Sequence, residues 1–322
     1  MYDIISIGDS SLDTFLLFHQ ANIRCTVNKE NCEICFNYAE KIAVDEYHSV
    51  IGGNAANNAV GSARLGLKTG IYTLVGDDLT AGEIKNTFKK EGVSMEYLRV
   101  DKGDMTNHSV VLSFKGERTI LVYHHPRKYS MPRFKKTKWI YMTSIGKNHS
   151  HLHEQLLDYI KKNGARLGFN PGTHQINEGV KKISPLMKMT TAFIVNKEEG
   201  NKLLRASHRD IKLILSGLKE YGPEIVVVTD GPKGTYAFDG HEYYYTPIFP
   251  APRVEATGAG DSFSTGFIAA LIYGKEIGEA LKWGNINAAS VIQKIGPQAG
   301  LMKKATLIKT IKKHQSFQSK KI

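Results

Sequence analysis

Five apolar runs along the chain share one pattern. They are "YDIISIGD" (2–9), "KWIYMTS" (138–144), "ARLGFNP" (165–171), "TAFIVNKEE" (191–199) and "EIVVVTDG" (224–231). Each is too short for a helix and apolar on both alternating faces, and each stops at a polar or glycine-rich loop. Such runs read as strands buried on both sides, which is the pattern of a parallel sheet covered by helices. Helical segments lie between them: "GNAANNAVGSARLG", "HLHEQLLDYIKKNG", and "TAGEIKNTFKKEG", with Thr80 as expected N-cap and Gly92 as its end. The expectation is an α/β, three-layer fold: a mostly parallel central sheet with helices on both faces. With 322 residues and no linker or repeat, the whole of 1–322 reads as one domain.

Two segments break this alternation. Residues 14–50 alternate without a helical period, and residues 106–125 form a hairpin pattern around Lys115-Gly116-Glu117. They predict a small separate β-sheet, suited to be a lid over an active site or a ledge for a homodimer. From "GAGDSFSTGFIAALIYG" onward the pattern is helical, and the final "SFQSKKI" reads as frayed.

Composition excludes several classes. Hydrophobic residues at 41% and charged residues at 23% describe a globular chain. No apolar run is long enough to span a bilayer, and the start reads as a strand and not a signal peptide. A cytoplasmic protein without membrane contact is expected. The formal charge of +12 is scattered as lysine pairs, and no nucleic-acid-binding motif accompanies it. An anionic substrate fits the sign equally well. The three cysteines, Cys25, Cys32 and Cys35, are an odd number, which argues against a disulfide framework. Two readings stand: a zinc site of three thiolates completed by His19 or His48, or free and partly buried thiols. His149, His151 and His153 in "NHSHLHE" read as a solvated helix start, because i,i+2 residues do not face one another on a helix.

The loops at the strand ends carry chemistry. In "EATGAGDSF" (255–263) the glycines admit close backbone approach where a helix begins, which makes an anion cradle with Asp261 at its edge. A carboxylate there can accept a proton from an attacking hydroxyl, or simply cap the helix. "GGNAANN" (52–58) offers Gly52 and Gly53 for ligand approach, with Asn54 and Asn57 as mixed donors and acceptors. "GDSSLD" sets Asp9 and Asp13 after the first strand, and "NKEE" spaces Asn196 and Glu199 to hold a hydrated cation. Tyr123, His124, His125 and Arg127 follow the hairpin, where they serve either substrate contact or packing.

In order, "GDSSLD", "GGNAANNAVGSARLG", "GERT", "NKEE", "TDGPKG", "GAGDSF", "NAASV" and "IGPQAG" resemble the ribokinase-like (PfkB) family of carbohydrate and nucleoside kinases over essentially the full length. The resemblance implies ATP and Mg2+ as cofactors. It implies Asp261 as the base, with the backbone of Gly258, Ala259 and Gly260 as the anion hole. Asn196 and Glu199 would order magnesium through water. Thr229, Gly231, Gly234 and Asn287 would hold the nucleotide, and Asp13, Gly52, Gly53, Asn54 and Asn57 the substrate hydroxyls. The chain also departs from the family pattern. Glu255-Ala256 replaces the usual Asp-Thr, so a K+ site at Glu255 is put in question, and "NPGTHQ" lacks the family's Arg, leaving Asn170 for a related role. The expected function is ATP-dependent phosphorylation of a hydroxymethyl group on a sugar. The alternatives are a nucleoside kinase, with Phe15, Phe18, Phe36 and Tyr38 stacking a base, and an inactive ligand-binding regulator.

Overall fold

A computed structural model describes residues 1–19, 21–25, 32–114 and 117–322. The chain opens with β1 (Tyr2–Ile7), β2 (Ser11–Leu17), β3 (Asn22–Cys25), β4 (Cys32–Cys35) and β5 (Glu46–Gly52). Helix α1 (Asn54–Arg64), β6 (Thr69–Tyr72), β7 (Leu74–Val75), α2 (Leu79–Lys90) and β8 (Arg99–Val100) follow. Next come β9 (Asn107–Phe114), β10 (Glu117–Tyr123), β11 (Thr137–Met142), α3 (Ser150–Asn163), β12 (Arg166–Phe169), α4 (Thr173–Glu178) and α5 (Val180–Met187). The chain continues through β13 (Ala192–Asn196), α6 (Lys197–Leu204), α7 (Ile211–Lys219), β14 (Ile225–Thr229), β15 (Thr235–Phe238) and β16 (Tyr243–Thr246). It finishes with α8 (Ala259–Ile272), α9 (Ile277–Val291), α10 (Lys304–Lys313) and β17 (Lys320–Lys321).

The large sheet runs β6-β1-β11-β12-β13-β14-β15-β16-β17. It is parallel as far as β14, and β15, β16 and β17 then add antiparallel. Period-two alternation feeds two cores. Ile5, Ile7, Ile140, Met142, Val226 and Val228 pack on the side of α3, α5 and α7. Ile4, Trp139, Tyr141 and Val227 pack on the opposite side with Phe263, Phe267 and Trp283 of α8 and α9. Each such fully buried side chain contributes about 1.5–3 kcal/mol of burial free energy, which explains why both faces must be covered.

A second sheet, β5-β2-β9-β10, holds the segments that break the strand–helix rhythm. The expected separate small sheet is therefore present; Lys115 and Gly116 of its expected turn lie outside the described residues. Among the described residues, strands β3 and β4 pair only with each other, with Cys25 opposite Cys32.

Several local expectations are corrected. Cys25 and Cys32 are joined in a disulfide, with Cα atoms 4.0 Å apart, and Cys35 is the free thiol. Bonded sulfurs are not thiolate ligands, His19 faces Asp45, and His48 faces Glu46. Among the described residues no group of three or more His, Cys, Asp or Glu is gathered to hold a metal, so the zinc reading is set aside. The tail is not frayed, because Lys320 and Lys321 pair with β16. His149 and His153 are buried, one turn apart, with rings 4.5 Å apart, while His151 alone is solvated. The relevant spacing is i,i+4, which does share a helix face.

Asp78, and not Thr80, caps α2: its carboxylate accepts from Ala81 N at 2.9 Å, and from Thr106 N and Oγ1 at 2.8 and 2.7 Å. Burial raises the Asp78 pKa, but the bonds from Thr106 and Ala81 outweigh it and the net shift is downward. A depressed folded-state pKa stabilises above the unfolded value and is lost as pH falls through the folded one. Asp78→Ala is expected to cost about 1–2 kcal/mol at pH 7. In chemical denaturation that difference should shrink as the pH is lowered below the ordinary carboxylate range.

Among the described residues no helix is long and apolar enough to cross a membrane.

Candidate active site

A cleft of about 760 Å3 opens at the carboxyl ends of the parallel strands, where open α/β sheets bind ligands. Asn170 after β12, Asn196 and Glu199 at β13, and Thr229 and Gly231 at β14 line one side. Residues 256–261, leading into α8, line another, and Arg118 and Ile120 of the small sheet close over it.

Gly258 sits at φ +81°, a left-handed turn that lets the chain enter α8, and a Cβ there would meet Pro297 Cβ at 2.5 Å. Ala259 N–H bonds to Ala256 O at 3.2 Å, and Ser262 N closes the first helical bond, to Gly258 O, at 2.9 Å. The N–H groups between them, of Gly260 and Asp261, lie at the open end of the helix, where free N–H groups and the helix dipole favour negative charge. Asp261 stands in this first turn. Burial, together with the charge of Asp13, pushes its carboxyl up to about 6, against a lowering hydrogen bond from Asn57. Asn57 Nδ2 donates to Asp261 Oδ2 at 2.8 Å, and no donor among the described residues reaches Oδ1.

Asp13 is buried on β2, where its Oδ1 accepts from Ser11 Oγ at 2.8 Å. Burial raises its pKa, while Ser11, Ser109 and His108 pull the other way. Gly52, paired with Ser11 across the small sheet, makes room for it: a Cβ at Gly52 would lie 1.9 Å from Asp13 Oδ2. Gly53 packs on the Asp9 main chain, and Asn54 lines the cleft. Asp9 itself turns toward β9 and the segment after β10. Its Oδ1 accepts from Asn107 at 3.2 Å, and its buried Oδ2 lies 3.5 Å from His124 Nε2. Burial pushes this carboxyl up to about 7, against the charge of Arg127.

Asn196 and Glu199 form a reciprocal capping box at the start of α6, with both bonds at 2.8 Å. The same pair faces the cleft. Burial raises the Glu199 pKa, and its Oε2 is spent on Asn196 N while Oε1 takes no hydrogen bond from the described residues. Glu255 is buried: Thr257 N and Oγ1 bond its Oε1 at 2.8 and 2.7 Å, Arg118 Nε lies at 4.0 Å, and Oε2 has no hydrogen-bond partner among the described residues.

Residues 15–304 match the sequence profile of the pfkB family of carbohydrate kinases. The chain belongs to that family. A protein described as an uncharacterized sugar kinase from Archaeoglobus fulgidus is 29% identical over 252 residues, 75% of this chain and 98% of that one. The ribokinase of Haemophilus influenzae is 24% identical over 272 residues, covering 81% and 87% of the two chains. Among solved structures, Arabidopsis thaliana ribokinase complexed with ribose and ATP superposes with a TM-score of 0.80 at 20% identity, covering 97% and 99%. Methanocaldococcus jannaschii nucleoside kinase gives 0.77 at 18% identity, with the same coverage. The fold of this pfkB kinase is thus ribokinase-like, as the ordered motifs imply.

Within that family frame, three expected site residues sit differently. Asn287 is fully buried, donating to Ser262 O at 2.7 Å and accepting from Met302 N at 3.1 Å. The residues of α9 that reach the cleft are Asn285, Ala288 and Ala289. Gly234 is a turn residue at φ +99°, where a Cβ would strike Thr246 O at 2.5 Å, and Thr235 lines the cleft in its place. Asn57 spends both ends of its amide inside the protein, on Asp261 and Gln298. Arg127 is a packing residue, tied to Asp101 and Met105 O. Arg118 and Gln298 had no role assigned from sequence, although each lies in a quoted motif, "GERT" and "IGPQAG".

Proposed function

We propose that this pfkB kinase transfers the γ-phosphoryl group of ATP to a hydroxymethyl group of a sugar, with Asp261 as the base. The observation that carries the reading is the Asp261 carboxylate at the N-terminal turn of α8, with one oxygen held by Asn57 and the other open. ATP- and ribose-bound structures of family members support the donor and acceptor classes. The acceptor hydroxyl gives its proton to Asp261 Oδ1 as its oxygen bonds to phosphorus, and ADP leaves. The backbone turn at Gly258, Ala259 and Gly260 faces the charge that builds on the transferred group. Asp13, offering acceptors only, fits a sugar diol.

Glu199 fits magnesium: it lines the cleft beside Asn196, and with no group of three or more metal-binding side chains gathered among the described residues the ion would rest largely on phosphate oxygens and water. The bare Oε2 of Glu255 fits a monovalent cation such as K+, with Arg118 as a competing positive charge. The sugar reading gains over the nucleoside one because the aromatic set is engaged elsewhere, with the Phe36 ring against Phe18. Phe15 and Phe18 are buried in packing, and Tyr38 is 99% exposed. Intact Asp261 and Gly258 argue against an inactive regulator.

Residues 1–322 would act as one unit, with 14–50 and 106–125 as lid. Strand β10 is exposed along its whole length, with Ile120, Leu121, Val122 and Tyr123 uncovered, which suits a homodimer through the lid.

A panel including D-ribose, D-fructose, inosine and adenosine, assayed for ADP release with ATP and Mg2+, tests the reading. Turnover on nucleosides alone would reject the sugar choice. The base must be ionised to act, so kcat/KM is expected to fall as pH drops through about 6, the Asp261 value. A rate profile flat from pH 8 to about 5 would contradict that assignment.

A further inference from the structure

Asn57 has two partners, and together they leave its amide one orientation. Its Nδ2 donates to Asp261 Oδ2 at 2.8 Å, and its Oδ1 accepts from Gln298 Nε2 at 3.1 Å. An ionised carboxylate only accepts, so the end of Asn57 facing Asp261 has to be the NH2 end. The end facing Gln298 is then the carbonyl, which only a donor satisfies. Asn57 is 3% exposed, so water is poorly placed to replace that donor. A reversed amide would set a buried carbonyl against a carboxylate, which is costly at low dielectric.

Gln298 is itself anchored. Its main-chain carbonyl accepts from Arg64 Nη1 at 2.6 Å. Arg64 is in turn clamped by both carboxylate oxygens of Glu91, at 2.9 and 2.7 Å, a two-pronged pairing with fixed geometry. A run of hydrogen bonds therefore joins the end of α2, helix α1, the loop after α9 and the first turn of α8. Asn57, Asp261 and Gln298 come from three distant parts of the sequence, and none of the bonds is a local cap or turn.

We propose that Gln298 is a positioning residue that locks the Asn57 amide, so that Asp261 Oδ2 always faces a donor and Oδ1 stays open toward the acceptor hydroxyl. Its catalytic meaning rests on Asp261 being the base; the orientation of the amide does not.

The test compares Gln298→Glu, which keeps the shape and removes the donor, with Gln298→Met, which removes the donor without adding charge. The readout is the 13Cγ chemical shift of Asp261 followed against pH in ligand-free, 13C-Asp-labelled protein, assigned by the signal lost in Asp261→Asn. The expected result for Gln298→Glu is a titration midpoint moved to higher pH by about half a unit or more. Gln298→Met should move it in the same direction by less. Thermal unfolding checks that each variant is folded, and if Gln298→Glu is not, Gln298→Met alone carries the test. A midpoint at the wild-type position in the folded variants overturns the proposal, because a packing role would lower stability without touching Asp261. The kinetic profile, taken with ATP, Mg2+ and the acceptor active in the panel, separates the two readings. If the shift titration moves and the acid limb of kcat/KM does not, the role of Gln298 stands and the base assignment falls.

Discussion

Replacing Asp261 by Asn is expected to lower kcat by about 10³-fold, within the range that a positioned general base supplies. The KM for ATP should stay within about twofold, because the change removes an interaction made in the transition state and none made with bound ATP. The substitution is unusually clean here. An Asn side chain keeps the shape, and its carbonyl can still accept the hydrogen bond that Asn57 Nδ2 gives to Asp261 Oδ2. The repulsion that Asp13 exerts on the ionised Asp261 disappears, so folding should not suffer. Steady-state rates beside a thermal unfolding curve check both halves. Turnover within tenfold of wild type would mean that the carboxylate is not the proton acceptor.

The second large effect is expected from a methyl group. Gly52→Ala would place a Cβ 1.9 Å from Asp13 Oδ2, well inside contact distance. Gly52 lies in strand β5, and its backbone is one that alanine can adopt. The harm therefore comes from collision and not from backbone strain. Asp13 must swing off the position in which Ser11 Oγ holds it at 2.8 Å. Losing two charge-assisted hydrogen bonds to the acceptor corresponds to about a 10²-fold rise in its KM. The KM for ATP should change little, since Asp13 is not among the residues lining the nucleotide-sized cleft. Gly52→Ala combined with Asp13→Ala should be no worse than Asp13→Ala alone, because both remove the same contact. Full additivity would show that Gly52 acts elsewhere.

How much of this was legible in the sequence follows from the physics of each part. Strands such as Val226–Val228 announce themselves because residues buried on both faces must be apolar without interruption. The loop before Asp261 is legible because a left-handed turn at Gly258 tolerates little else. The Asn196–Glu199 spacing was read as a pair for a hydrated cation, and the structure uses the same three-residue interval for a capping box. Contacts across the fold left no local trace. Nothing near Asn57 announces that its amide meets Asp261 and Gln298. Helix α9 is buried nearly all round, so its periodicity cannot tell the cleft-facing Asn285 from the packed Asn287. The cap of α2 was misplaced by two residues because Asp78 and Thr80 are both good caps, and Thr106, distant in sequence, decides between them. Cys25 and Cys32 meet only because β3 and β4 pair in that register.

The most direct test of phosphoryl transfer to a hydroxymethyl group through Asp261 is the product itself. The enzyme would be incubated with ATP, Mg2+ and each sugar and nucleoside of the panel, and the mixture resolved by 31P NMR with correlation to the carbon-bound protons. The expected result is one phosphomonoester resonance coupled to a CH2 of a sugar, formed in equal amount with ADP, and absent with Asp261→Asn. Release of inorganic phosphate without an ester, or the same ester formed at an undiminished rate by Asp261→Asn, would contradict it.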